Sequence, residues 1–434
     1  MAFTIICLLI IVTPLLRGSV HAWAETLIQM CALTGVFCLL LDGILNNRAT
    51  EKIQKQAQPE AGIENTSSKP KSKRKKKHKT PTPEIPLHIT LAVIVTLSAF
   101  FSSRPSLSAQ GISMLATYIA IYWIAATSVN TRKKQRILVY VILSTAVFIS
   151  IIGLLKRFDM NPLSLWVYAD VPRAGYTSLS GPYVNRNHMA GFLGMAIPMM
   201  IALFLTREHR LEIRAAMIGA ALLLICTQVL TLSRGGWMAT TGALVFMAVV
   251  LFIQKSIYRR TIVGISLLVL GVGVWALAST PVVNRLSTLT QNDVSDNLET
   301  RTRTWTGTLA LIKAHPLTGS GPGTFSEAYP QFQIPGQPHL SVYAHNDYLH
   351  FVSDGGILMI PVILWSLFLL FRAGFKAQKS QSRQTQGLAL GAMAGMVAIA
   401  IHSFSDFNLH IPANTVLFVV LAGTLMRIQN PLRR

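Results

Sequence analysis

Charge and cysteine are what this sequence has least of. Only 13% of its 434 residues are charged, against 51% hydrophobic, which sets aside an ordinary water-soluble domain and points to a membrane-embedded chain. Its four cysteines, Cys7, Cys31, Cys38 and Cys226, all fall in apolar runs with no CxxC pair. That excludes a disulfide framework or a thiolate zinc site, and the four read as small hydrophobes. No repeat of solenoid length is present. The one glycine-rich stretch, "GSGPGTF" at 319–325, lacks the Lys and Ser/Thr of a P-loop and the spacing of GxGxxG, so it reads as a tight turn with at most backbone contacts to phosphate.

Long apolar stretches are what the sequence has in abundance. Blocks of about 16 to 22 residues recur, each long enough to cross a hydrocarbon core ~30 Å thick as a helix. Twelve spans are predicted, at 3–16, 27–45, 87–102, 111–129, 137–155, 188–206, 214–232, 237–253, 261–279, 356–371, 387–405 and 411–428. The expected fold class is all-α, a polytopic integral membrane protein with about twelve transmembrane helices and a large, partly helical outer loop. The first span is short but has no small-residue cleavage site, so it reads as a retained helix. Lys and Arg then set the orientation, because basic loops stay cytoplasmic. With the N-terminus inside, 28 of the 39 basic residues lie at cytoplasmic loops and 11 outside, which puts both termini in the cytoplasm. The chain divides into an N-terminal pair of spans (1–45), a basic loop (46–86), spans carrying an outer loop at 156–187 (87–279), a large extracytoplasmic loop (280–355) and C-terminal spans (356–434).

The run "KPKSKRKKKHK" at 69–79 supplies much of the +22 net charge. Its place between two spans, in a Pro-, Lys- and Ser-rich setting, reads as a disordered cytoplasmic loop that touches anionic lipid; nucleic acid is not an expected partner. Outside, nine of the eleven basic residues are arginine, whose planar fork suits bidentate binding of phosphate or carboxylate. Headgroup contacts and helix ends are the competing explanation for any one of them.

Three outer segments open on the same face and are expected to converge: 156–187, ending in "GPYVNRNHMAGF"; the turn "TLSRGGW" at 231–237; and 280–355, where "NLETRTRTWTGTLALIKAH" is a polar helix stopped by Pro316. Arg234 is expected in the last turn of its helix, with Gly235 and Gly236 as a left-handed C-cap or as room for a ligand. If "HNDYLHFVSD" (345–354) begins the tenth helix, His345 shares a face with Tyr348 and Leu349, while Asp347, His350 and Asp354 lie along another. Asn346 or Asp347 is then the N-cap. HxxxxH is not a metal-ligand spacing, so no metal is expected, and a lone histidine acting as base or proton relay is the more economical reading.

"GPYVNRNHMAGF", "LTLSRGGWMA", Arg301 to Trp305 followed by "HPLTGSGPGTF", "HNDYLHFVSDGGI" and "HSFSDFNLHIPAN", in this order over roughly 180–415, resemble the O-antigen ligase-like family of multi-spanning glycosyltransferases. The resemblance implies an enzyme that transfers a glycan from a polyprenyl diphosphate donor to an acceptor such as lipid A-core, at the outer face of the bacterial cytoplasmic (inner) membrane. It implies inversion, no cofactor and no metal. By motif, the essential arginines match Arg234 and Arg301, with Arg303 as fallback, and the essential histidine matches His345, flanked by His339 and His350. Arg303, Asn187, His188, Asn346 and Asp347 are the expected substrate contacts, although Asn187 and His188 are equally explained by packing. Asp347, Asp354 and Asp406 lie on the same side without forming an assignable carboxylate pair. A polysaccharide polymerase of the same family is the alternative reading. A transporter is the alternative of a different class, disfavoured because no related halves are evident and the polar motifs gather in outer loops.

Overall fold

The computed structural model of the chain describes residues 1–56, 84–158, 160, 179–206, 210–254, 264, 267, 271, 294–335, 337 and 340–429. All regular structure among them is helical: α1 (Ala2–Leu15), α2 (Ala22–Gln56), α3 (Glu84–Phe100), α4 (Pro105–Ser128), α5 (Arg132–Arg157), α6 (Arg186–Thr206), α7 (Leu211–Leu230), α8 (Arg234–Ile253), α9 (Val294–Ala314), α10 (Asp347–Gly355), α11 (Met359–Gln378), α12 (Arg383–His402) and α13 (Pro412–Ile428). Eight helices are long and apolar enough to cross a membrane, and α1, α3 and α13 are shorter apolar helices. All of the predicted span 261–279 but residues 264, 267 and 271, most of the outer loop 156–187, the lysine-rich run and His339 lie outside the described residues.

Helix boundaries follow local chemistry. Thr131, Ser233 and Ser382 cap α5, α8 and α12 by accepting from Lys134, Gly236 and Thr385 backbone N–H groups, and Pro105 and Pro412 open α4 and α13, where no amide is needed. Two boundaries differ from expectation. Helix α2 runs on to Gln56, into the segment read as a disordered loop, because the span ahead of it supplies the costly nucleus for residues that prefer helix. The stretch at 347–355 is a separate helix, not the start of the next span, because Gly356 takes φ 77° and interrupts it.

At the centre, α6 and α12 cross with their backbones almost in contact. A Cβ added at Gly391 would lie 2.9 Å from Met199 Cα, and one at Gly395 2.9 Å from Met195 O. Within lipid, where apolar side chains gain little from leaving the solvent, such small-residue faces allow the close packing that holds helices together. The ends of α6 and α12 are thereby fixed relative to each other, and the candidate site hangs from them. Outside this bundle, α9 packs Leu311 against Phe325, Tyr329 and Ala344 in a small separate core.

Candidate active site

The segment between α12 and α13 carries the centre. Asp406 is 1% exposed in its side chain, and four side chains from three other elements surround it. Asn187, in the first turn of α6, donates to Oδ2 at 2.6 Å. Arg301 of α9 brings Nη2 to 3.8 Å from Oδ2, His188 brings Nε2 to 3.8 Å from Oδ1, and His345 brings Nδ1 to 3.9 Å from Oδ1. The Phe407 amide donates to Oδ1 at 2.8 Å. Burial pushes this carboxyl up, but the imidazoles of His188, His402 and His345 around it more than reverse that, so Asp406 is held well below the usual carboxylate range.

Phe407 sets the rings in place. It meets His188 and His345 edge-on at 4.8 and 4.9 Å and stacks on Tyr343 at 4.1 Å. His345 stands just ahead of α10 with φ 49°, and the Trp305 indole N–H reaches its carbonyl at 3.4 Å. Burial lowers the His345 pKa; Asp406 raises it, and Arg301 and His188 lower it. The imidazole is therefore neutral at pH 7 and able to accept a proton. Side chains of Arg301 and His345 are 28% and 34% exposed, so the cluster has an open side.

Arg234 is not in the last turn of a helix. It is the first residue of α8, behind the N-cap Ser233, and Gly235 and Gly236 are in the first helical turn. A serine followed by two backbone donors is the better N-cap, which overrides the C-cap reading. The glycine pair makes room for the protein itself: a Cβ at Gly235 would lie 2.5 Å from Ser405 Oγ and 2.9 Å from His402 Cδ2. The start of α8 thus abuts the segment that holds Asp406. Arg234 is exposed and makes no ion pair among the described residues. A cation there opposes the helix dipole, so helix stability does not account for it.

The remaining expected contacts are occupied. Asn346 is the N-cap of α10, accepting from Leu349 N and donating to Phe404 O. Asp347 is 0% exposed and accepts from Ser403 Oγ at 2.6 Å and Leu409 N at 3.0 Å, with His410 Nδ1 at 2.7 Å. Arg303 pairs with Glu299 at 2.7 Å and donates to Pro335 O. Of the two candidate arginines on α9, Arg301 is the one that faces Asp406. The "GSGPGTF" turn is indeed tight: Gly319, Gly321 and Gly323 all have positive φ, a conformation glycine adopts without strain. Its amides are directed inward, Ser320 N to Ser353 O, Gly321 N to Asp354 O and Gly323 N to Asp354 Oδ2.

A second histidine–carboxylate cluster lies across the Tyr343–Phe407 stack. His350, Asp354 and His410 offer ligand atoms within 4.8 Å of one another and are the described residues able to hold a metal.

Sequence reasoning weighed Asp406 only as one of three carboxylates on the correct side and did not single it out. Its signal was a lone aspartate in a short polar link between two spans, which by itself does not say that the side chain is buried.

The family described as O-antigen ligase matches residues 219–364, about a third of the chain. No curated protein matches the chain. The matched stretch includes Arg234, Arg301 and His345 and leaves Asn187, His188 and Asp406 outside. It supports an O-antigen ligase-like family for this chain.

Proposed function

We propose that the protein moves a glycan from a polyprenyl diphosphate carrier to an acceptor hydroxyl, lipid A-core for a ligase, at the outer face of the cytoplasmic membrane. The observation that carries this reading is the convergence of His345 and Arg301 on the buried carboxylate of Asp406, with Arg234 exposed at the start of α8, which abuts the same segment. The acceptor O–H loses its proton to His345 Nε2 as its oxygen attacks the anomeric carbon from the face opposite the diphosphate. The bond from that carbon to the diphosphate oxygen breaks with inversion, and polyprenyl diphosphate leaves with the electron pair. Asp406 faces Nδ1 and stabilises the imidazolium as it forms; at 3.9 Å the pair is loose and tightens when the ring becomes charged. Arg301 and Arg234 stabilise the charge developing on the leaving diphosphate, aided by the N-terminus of α8. Asn187 and His188 hold Asp406, whereas Asn346, Asp347 and Arg303 position α10 and α9. No cofactor is required for these steps, and the partners are the lipid-linked glycan, its acceptor and the surrounding lipids.

The test is transfer by purified protein in liposomes, with a polyprenyl-diphosphate oligosaccharide and either lipid A-core or a second donor as acceptor. Product on lipid A-core that disappears in Arg234→Ala supports the ligase. Elongation of the second donor instead makes the protein a polymerase, and no transfer to either overturns the reading.

A further inference from the structure

We propose that His350, Asp354 and His410 bind one divalent transition-metal ion, zinc by ligand type, which ties the outer loop to the link between α12 and α13. This goes beyond the transfer reaction, and none of the three residues contacts Asp406 among the described interactions.

His350 and Asp354 are one turn apart on α10, with Nε2 3.9 Å from Oδ1. His410 arrives from the far side of α12, and its ring stacks on His350 with centroids 3.9 Å apart. Two imidazoles and one carboxylate oxygen are the donor set of an open zinc site, in which three protein ligands leave a fourth position for water.

The outer partners fit that role. His410 Nδ1 lies 2.7 Å from Asp347 Oδ1, and Asp347 is itself held by Ser403 and Leu409. A carboxylate on Nδ1 fixes the proton there and leaves the Nε2 lone pair free, the arrangement that orients metal-binding histidines. Asp354 is divided in the same way. Oδ2 accepts from Gly323 N at 2.8 Å, while Oδ1 is buried and has no donor. A buried acceptor left without a donor needs an explanation, and a cation supplies one. The Ala344 amide donates to His350 Nδ1 at 3.5 Å, the outer limit of a hydrogen bond; a metal on Nε2 moves the ring proton to Nδ1 and gives up this long contact. Metal bonds of ~2.0–2.2 Å in tetrahedral geometry require the 3.9 Å pair to close by about half an ångström, and ligand atoms as far apart as 4.8 Å by more than an ångström, through rotation of the side chains.

The experiment is a titration of tag-free protein in detergent with Co2+ alone, followed by Zn2+ competition. One equivalent of Co2+ with the visible bands of a tetrahedral site, displaced by Zn2+, is expected. Asp354→Asn, which keeps the shape and the Gly323 contact, should weaken binding by more than the roughly 10–100-fold typical of losing an outer partner. Failure of the natural protein to retain either ion, or unchanged spectra and affinity in both Asp354→Asn and His350→Gln, overturns the site. Should both variants fail to fold, zinc X-ray absorption on the loaded natural protein decides: paired imidazole scattering with an oxygen ligand supports the site, and its absence overturns it. The readout is independent of glycan transfer, so it stands or falls separately from the proposed reaction.

Discussion

Two buried aspartates, Asp347 beside His410 and Asp406 beside His188 and His345, sit on opposite sides of the Tyr343–Phe407 stack, and their surroundings are built in opposite ways. Around Asp347 every partner is close, 2.6 to 3.0 Å, and nothing is left over. Around Asp406 the contacts through Asn187 and the Phe407 amide are short, while His188, His345 and Arg301 stand off at 3.8 to 3.9 Å. A saturated carboxylate can only hold the chain in place. A carboxylate whose cationic and imidazole neighbours keep free hydrogen-bonding capacity can hold them while they act on something else. The same residue types thus serve as a clip in one place and as an organising charge in the other, and the distances distinguish them.

Breaking the loose cluster should have the largest effect. His345→Ala is expected to reduce transfer by about 10²–10⁴-fold, the usual contribution of a general base, while the protein still elutes as the parent does and loses little of its thermal midpoint in detergent; activity within a few-fold of the parent would remove the base from this position. Breaking the tight cluster should instead cost stability. Asp347→Ala leaves the buried Ser403 hydroxyl and the partly buried Leu409 amide and His410 ring without their acceptor, which at about 1–3 kcal/mol for an orphaned buried group should appear as a lowered thermal midpoint, with turnover per folded molecule reduced far less than in His345→Ala.

Asp406→Asn tests the division more finely. Transfer should fall by about 10-fold or more, since each 1.4 kcal/mol of lost imidazolium stabilisation is tenfold. The pH profile carries the sharper signal. His345 is depressed below its ordinary pKa mainly by burial, and Asp406 partly offsets this; activity should therefore be lost as pH falls through a value below 6.5, and removing the anion should move that acid limb lower still. An unmoved limb would mean that Asp406 does not act through His345. The smallest effect is expected at Arg303, whose pair with Glu299 is largely exposed: Arg303→Ala should cost under about 1 kcal/mol and change transfer less than threefold. A loss as large as that of Arg301→Ala would reverse the choice between the two arginines.

The apolar stretches were legible because length and composition alone license a helix in lipid, and eleven of the predicted spans coincide with described helices. Ordered motifs singled out Arg234, Arg301 and His345, of which the structure sets Arg301 and His345 beside Asp406. Asp406 and His410 were not legible, because what distinguishes them is proximity across the chain: His410 meets His350 sixty positions away, and Asp406 gathers Asn187 from α6 and Arg301 from α9. Nothing in "HSFSDFNLHIPAN" records those meetings. The placement of Arg234 was misjudged for a local reason, the competition between a serine that caps the helix ahead of it and glycines that would end the helix behind it.

His345 occupies the left-handed region, φ 49°, where histidine, asparagine and aspartate are over-represented among non-glycine residues. A substitution scan at this position therefore reads two things at once, the imidazole and the cost of the backbone shape, on the order of 1–2 kcal/mol for a residue that disfavours it. Alanine and valine would mix the two. Asparagine, at ease in the same conformation and unable to take a proton, isolates the chemistry, and the further loss from asparagine to alanine measures the geometry; the pair would tell a protein engineer how much of a silent variant's defect is the lost base and how much the bend that presents it.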